Sequence, residues 1–427
     1  MTTPRPSGLA KHWTVVAVLA AAYFLAYFHR VSPAVLAQDL QRDFGINATA
    51  LGWLSSMYFY LYGALQIPVG LLVDRYGARR VVTATTMLSF AGAVLFELAP
   101  DFTVAAIARA LVGAGVAGIY IPALKTFSGW AGPQEFATVT GIMMAIGNLG
   151  ALVATSPLAF FAGHVGWRMT FLVIGLLSFG LAVLCWKVVK DSEDPCRVKG
   201  GRRGRETASL FDWQVFRNEQ VLLLGVALLG KYGPLMAFMG LWGGLYLSET
   251  YGMSRVTAGN FLMFISIGYA LGSPLFGHLS DRVLKGRRPL LLSGTLVFVG
   301  TWLPFIFGWK LAPAVLGAIL LLMGITGGGT GTVTFSMGKE SVPASHAGTA
   351  LSVINALAFL AVTVFQPLTG WLISRAGPAG GDPLSRYKLA FLICLGGAIL
   401  GLAASLKTKE TVVEGEATKT EVRVLPG

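Results

Sequence analysis

Gly70-Leu-Leu-Val-Asp74-Arg75-Tyr-Gly77-Ala-Arg79-Arg80 is written a second time, about half a chain later, as Gly277-His-Leu-Ser-Asp281-Arg282-Val-Leu-Lys285-Gly286-Arg287-Arg288. Each copy is a short charged turn between two long apolar runs, and both keep Gly, Asp and Arg at matching offsets. A chain of 427 residues that repeats at half its length in the same sense has two similar halves, each starting on the same side of a barrier. Composition identifies that barrier as a membrane. With 54% hydrophobic and 12% charged residues and a mean hydropathy of +0.67, there is too little polar surface to coat a soluble globule of this size.

Apolar runs of about 20 residues recur along the chain, the length that crosses roughly 30 Å of hydrocarbon as helix. In lipid every backbone N–H and C=O must be satisfied within its own segment, so the runs read as helices; the in-out alternation of barrel strands is missing. About twelve spans are expected. They fall at residues 14–36, 49–72, 81–99, 103–126, 138–162 and 167–188, then at 220–247, 256–278, 289–308, 312–336, 347–373 and 387–406. The organisation is a six-helix half over 1–189, a linker over 190–219, a second six-helix half over 220–406, and a disordered tail over 407–427.

Most of the 33 Lys and Arg residues lie in the loops that share a side with Arg75, Arg79, Arg80, the linker and both tails. Positive residues concentrate on the cytoplasmic side, so both termini are expected there, in the inner (plasma) membrane. The net charge of +13 is this topological bias; it does not indicate nucleic-acid binding, although the basic linker suits anionic lipid headgroups. The first apolar run leads into His29-Arg30 rather than a small-residue cleavage site, and reads as a signal anchor.

Other chemistries find no support. Cys185, Cys196 and Cys394 make no CxxC or His-spaced pattern, so neither a disulfide framework nor a metal site is expected. Gly113-Ala-Gly115-Val-Ala-Gly118 matches a dinucleotide fingerprint and Gly327-Gly-Gly-Thr330-Gly a phosphate loop, but both lie inside apolar spans, where small residues serve close helix packing. No nucleophilic or acid–base constellation is present, so an enzyme and a cofactor are not expected.

With two six-helix halves and the repeated turn in place, the chain resembles a major facilitator superfamily transporter over nearly its whole length. The family's loop motif, G-x-x-x-D-[RK]-x-G-[RK]-[RK], is similar to Gly70, Asp74, Arg75, Gly77, Arg79 and Arg80, with one extra residue before the basic pair. The second copy supplies Gly277, Asp281, Arg282, Gly286, Arg287 and Arg288, with two more residues. The resemblance implies an all-α fold of 12 helices around a central cavity, with Gly70, Asp74, Arg75, Arg79, Gly277, Asp281 and Arg282 gating its cytoplasmic face. An Asp at a helix end can pair with an Arg nearby and cap a helix N-terminus. Arg109-Ala-Leu-Val-Gly113 resembles a second motif, R-x-x-Q-G, with Val112 in place of Gln. Gly147-Asn148-Leu-Gly150 with Ser156-Pro157 is similar in part to antiporter and nitrate-carrier signatures.

Three cations sit at membrane depth, where each is costly and normally faces the bundle interior: Arg30, Arg109 and Lys231. At 1.5 Å per residue, Lys231 lies about 16 Å and Arg30 about 24 Å from the start of its helix. In the family, helices 1, 4 and 7 line the cavity. An unpaired positive cavity favours a negatively charged substrate. Tyr23-Phe-Leu-Ala-Tyr27-Phe-His29-Arg30 also looks like helix 1 of organic-anion carriers of the anion:cation symporter and organophosphate antiporter type, which implies that Arg30 grips a carboxylate or phosphate. Arg offers a planar fork and Lys a movable point charge.

Tyr58, Tyr62, Gln66, Tyr120, Asn148, Tyr232, Asn355 and Gln366 are further candidates for the pocket. His29, whose unperturbed pKa is near neutrality, is a candidate proton-coupling site; it diverges from Arg30 by about 100° around the helix and can instead face a neighbouring helix. The sequence therefore reads as a monomeric secondary transporter of a small organic anion, carboxylate or phosphate ester, acting by alternating access with proton symport or anion exchange. Two alternatives stay open, a drug or metabolite efflux antiporter and a non-transporting membrane sensor of anions.

Overall fold

The computed structural model describes residues 12–129, 133–190, 215, 217–343, 346–376 and 383–411; most of the linker (191–214), the tail from 412 and the Asp74 side chain lie outside the described residues. Regular structure among the described residues is helical throughout. The first group comprises α1 (Trp13–Phe44), α2 (Ala48–Ala64), α3 (Gln66–Tyr76), α4 (Ala78–Glu97), α5 (Phe102–Ser128), α6 (Pro133–Val153), α7 (Ser156–Val165) and α8 (Trp167–Val188). The second comprises α9 (Glu219–Ala237), which passes through a wide π turn at Phe238–Trp242 into α10 (Gly243–Tyr251), then α11 (Arg255–His278), α12 (Arg288–Phe307), α13 (Pro313–Glu340), α14 (Ala347–Arg375) and α15 (Pro383–Lys407).

Among the described residues ten helices are long and apolar enough to cross a membrane, counting α9 and α10 as one crossing, and α6 with α7 makes an eleventh as a pair bent by 47°. The second expected span, 49–72, is broken at Leu65 into helices of 17 and 11 residues. Polar caps set several starts: the side chains of Asn47, Asp101, Asn218 and Ser254 each accept from the backbone N–H three residues on. Gly45 and Gly252 stop α1 and α10 in the left-handed region, at φ 61° and 65°, where a side chain would be strained. Leu176, Leu177, Leu296 and Phe307 are each more than half exposed, as an outer surface facing lipid tails requires.

Prolines inside the spans free backbone carbonyls that lipid cannot satisfy, and at Pro33, Pro122 and Pro367 a side chain from another helix takes the missing donor's place. Pro33 removes the N–H that would bond to the His29 carbonyl, and Arg109 Nη1 donates to that oxygen from α5 at 3.1 Å. Pro122 likewise leaves the Gly118 carbonyl, where α5 kinks, to Thr85 Oγ1 at 3.2 Å. Pro367 leaves the Thr363 carbonyl to the Tyr60 hydroxyl at 3.1 Å.

The two groups meet along α1 with the π turn and α10, α2 with α14, and α6 and α7 with α11. Their tightest seam lies at the end where α1 finishes and α2 begins, here the distal end; residue 12 and both repeated turns are at the proximal end. At the seam backbone meets backbone. A Cβ on Gly52 would stand 2.5 Å from the Gln366 carbonyl, one on Gly244 2.5 Å from the Ala34 carbonyl, and one on Gly259 2.8 Å from Ser156. Gly370 is pressed equally closely on the Ala48 carbonyl. Thr49 donates through its N–H and hydroxyl to Ser374 Oγ, both at 3.0 Å. At the proximal end a Cβ on Gly70 or Gly277 would meet nothing within 4 Å among the described residues.

Candidate functional site

Arg30 occupies the boundary between the groups, 5% exposed. α1 brings Tyr27 beneath it, one helical turn back on the same face, with the guanidinium carbon 4.4 Å from the ring centroid. Tyr62 from α2 and Phe359 from α14 present rings 5.5 Å away. Arg30 Nη1 donates to the Tyr232 hydroxyl of α9 at 3.2 Å, so the guanidinium touches both groups. Its Nε has no hydrogen-bond partner. Each cation–π contact contributes about 0.5–2 kcal/mol, which offsets part of the cost of a buried cation without neutralising its charge.

The walls around this cation are aromatic and hydroxyl-bearing. Phe359 packs against Tyr62 at 4.7 Å and Tyr232 at 5.9 Å between ring centroids. Tyr23 stacks on Tyr120 at 5.5 Å and meets Tyr27 edge-on at 5.0 Å. Tyr269 of α11 brings its hydroxyl to 3.9 Å from where a Gly331 Cβ would stand. Tyr27, Tyr120, Tyr232, Tyr269, Asn148 and Asn355 are half-buried. Asn148 donates within its own helix to the Met144 carbonyl at 3.0 Å. Gln66 donates to the Tyr62 carbonyl at 3.3 Å, and Gln366 is fully buried with Nε2 on the Met236 carbonyl at 3.2 Å.

The other two membrane-depth cations are not brought to Arg30. Lys231 is 1% exposed and turned into the second group, its Nζ donating to Thr295 Oγ1 of α12 at 3.2 Å. Its neighbour Tyr232 holds the face toward Arg30. Arg109 lies behind α1 on the His29 carbonyl, 5.3 Å from the ring centroid of Tyr58, with Nε and Nη2 unpartnered. The Tyr58 hydroxyl donates to the Ala26 carbonyl at 2.9 Å. The His29 ring is fully buried, 5.8 Å from Phe171 in the first group, and neither nitrogen has a partner among the described residues. Among the described residues no group of three His, Cys, Asp or Glu could hold a metal.

The repeated turns differ in their surroundings. Arg75 lies over Tyr76 at 5.2 Å, and Arg79 lies over Trp186 at 4.2 Å while donating to its carbonyl at 2.7 Å. Arg282 is exposed. Asp281 accepts from Arg287 Nη1 at 2.8 Å, and Arg287 also forks onto Glu340 through Nε and Nη2 at 2.6–2.8 Å. Burial works against the Arg287 charge, but the Glu340 and Asp281 carboxylates outweigh it and hold its pKa above the ordinary arginine value. Sequence reasoning missed Tyr27 and Phe359 as walls of the cation site, although the three-residue spacing from Tyr27 to Arg30 was a usable signal. It also missed the ion pair of Arg255 with Asp39 across the distal seam, whose partners lie at the ends of different spans.

Comparison with known proteins agrees with this architecture. A "probable sulfoacetate transporter" of Cupriavidus necator is 28% identical over 410 residues, covering 91% of each chain. A "probable galactarate/D-glucarate transporter" of Bacillus subtilis is 24% identical over 419 residues, covering 89% of each. The solved structure of a bacterial homologue of the human lysosomal transporter Spinster, inward-facing and unoccupied, superimposes with a TM-score of 0.72 at 16% identity, covering 92% of this chain and 95% of that one. Matches to the family pattern span residues 19–361 and 235–425, and with the all-helical, multi-pass fold they establish that the chain is a membrane protein of the Major Facilitator Superfamily.

Proposed function

We propose that this protein is a secondary transporter that carries a small organic anion across the inner membrane by alternating access, with the distal seam on the external side and both termini in the cytoplasm. The observation that carries the reading is Arg30, an arginine without a carboxylate partner among the described residues, set between the two helix groups and bonded to both. An anion that reaches it gains a charge-assisted, forked contact and replaces the weaker compensation of ring faces and neutral tyrosine hydroxyls. The relatives named for sulfoacetate and glucarate, both dianions, support an anionic cargo but do not set its charge in this chain.

In this reading the seam of Gly52, Gly244, Gly259 and Gly370 closes the external side, and the paired turns line the opening to the cytoplasm. Rocking of the groups about Arg30 then exposes the same site alternately to either side. Energy comes from proton symport or anion exchange, with His29 and Arg109 behind α1 as the neighbouring titratable and charged groups. Lys231 acts through the second group, away from the cargo.

The test is counterflow in liposomes holding the purified protein, with labelled carboxylates, sulfonates and phosphate esters. Accumulation of an anion by the wild type, lost in Arg30→Ala and partly kept in Arg30→Lys, supports the reading. Binding with no flux would favour a sensor, and flux of cationic or neutral compounds alone would favour an exporter.

A further inference from the structure

We infer that the cargo is a singly charged organic anion, and that a second negative charge on an otherwise matched molecule is selected against. This rests on the anion-transport reading above and narrows it. Three membrane-depth cations would suit a dianion or trianion, but the structure separates them. Arg30 alone of the three lies between the groups; Lys231 is tied to Thr295 inside the second group, and Arg109 is tied to the His29 carbonyl behind α1. The described Asp and Glu residues lie toward the span ends and loops, so nothing at this depth removes the single positive charge.

What surrounds Arg30 is poor at holding a second anionic group. The faces of Tyr27, Tyr62 and Phe359 are turned toward the guanidinium, and the electron-rich face of an aromatic ring attracts cations and repels anions. One carboxylate or sulfonate can pair with the guanidinium, whose Nε is unused, while the rest of the molecule lies among rings and phenolic hydroxyls. A second ionised group would lose its water with no cation to meet it. The Tyr232, Tyr27, Tyr120 and Tyr269 hydroxyls offer neutral partners, which suits alcohol groups on the body of the cargo.

The experiment compares molecules that differ by one charge, a CH2OH group standing in place of one carboxylate: gluconate with glucarate, and 2-hydroxyethanesulfonate with sulfoacetate, each competing for counterflow in liposomes at pH 7.5. The singly charged member of each pair is expected to compete at least tenfold better, and Lys231→Met is expected to leave that ratio unmoved. Equal or better competition by the doubly charged members, lost in Arg30→Ala, overturns the inference while leaving anion transport standing. A selective loss of the doubly charged members in Lys231→Met also overturns it, because it puts a second cation at the site. If no anion of either charge is moved, the transport reading fails and the inference goes with it.

Discussion

Asp39, in the last turns of α1, and Arg255, at the start of α11, form a two-pronged ion pair across the distal seam, with Nη1 and Nη2 at 2.5 and 2.7 Å from the two carboxylate oxygens. Both side chains are largely shielded, 15% and 29% exposed, so the pair is worth more than a surface contact. It joins the two groups where the glycine seam already presses backbone on backbone. Asp39→Asn keeps the shape and removes the charge. If the two groups rock as proposed, the expected loss of about 1–2 kcal/mol shifts the balance between distally closed and distally open states about five- to thirty-fold toward open. Distances between spin labels on the distal ends of α2 and α14 check it, and an unchanged distribution would show that the pair does not hold the seam. Restoration in the swapped pair Asp39→Arg with Arg255→Asp separates charge pairing from damage to the fold.

The seam and the turns should respond oppositely to one methyl group. Gly52→Ala and Gly370→Ala place a Cβ against the carbonyls of Gln366 and Ala48, so the state closed at the distal end must loosen. Gly70→Ala and Gly277→Ala meet open space here. If the turns come together when the distal end opens, those two substitutions burden the opposite state. The same label distances should therefore lengthen in Gly52→Ala and stay the same or shorten in Gly70→Ala. Movement in the same direction for both would remove the turns from the gate.

Much of the architecture was legible because lipid imposes its rule segment by segment: an apolar run of the right length must be a helix whatever it later packs against. That logic covers α1, α5 and α12 to α15, and it falters at Leu65, where the 49–72 run breaks into 17 and 11 residues. Arg30 was legible for a related reason, since a cation at that depth needs a purpose. The rotation of each helix was not. A span that is apolar all round does not say whether Lys231 or Tyr232, about 100° apart, faces Arg30. Nor could α1 say that Pro33 would hand the His29 carbonyl to Arg109, because the acceptor and its donor are 80 residues apart.

At the proximal end, Arg287 gathers Ser280, Asp281 and Glu340 within the second group, and Glu410 accepts from the Arg287 backbone N–H at 2.7 Å. This copy of the turn holds together the ends of α11, α12, α13 and α15. Arg287→Met leaves the Glu340 carboxylate partly buried with Thr411 as its one remaining donor among the described residues, and should lower the thermal midpoint by about 2–4 °C. The raised Arg287 pKa means that its contribution is complete below the unfolded value and lost only as pH climbs through the folded one. The difference in midpoint between wild type and Arg287→Met should therefore not diminish between roughly pH 7 and 10. A difference that fades over that interval would contradict this assignment.

The Pro33, His29 and Arg109 arrangement allows the energetic role of a buried arginine to be isolated. Arg109→Ala removes the donor at 3.1 Å from the His29 carbonyl and leaves that oxygen to Ser32 Oγ at 3.3 Å, so a loss of about 1–3 kcal/mol is expected. Pro33→Ala restores a backbone N–H that can bond the same carbonyl as in an ordinary helix. If Arg109 serves chiefly to satisfy the proline-freed oxygen, Arg109→Ala should cost less by about 1 kcal/mol in the Pro33→Ala background, a coupling read from a double-mutant cycle of thermal or denaturant unfolding in detergent. If the two substitutions add independently, the guanidinium is kept for something else. Its unpartnered Nε and Nη2, beside the unpartnered His29 ring, then become the groups to examine in transport, with counterflow and proton-driven uptake measured separately for Arg109→Lys and His29→Gln.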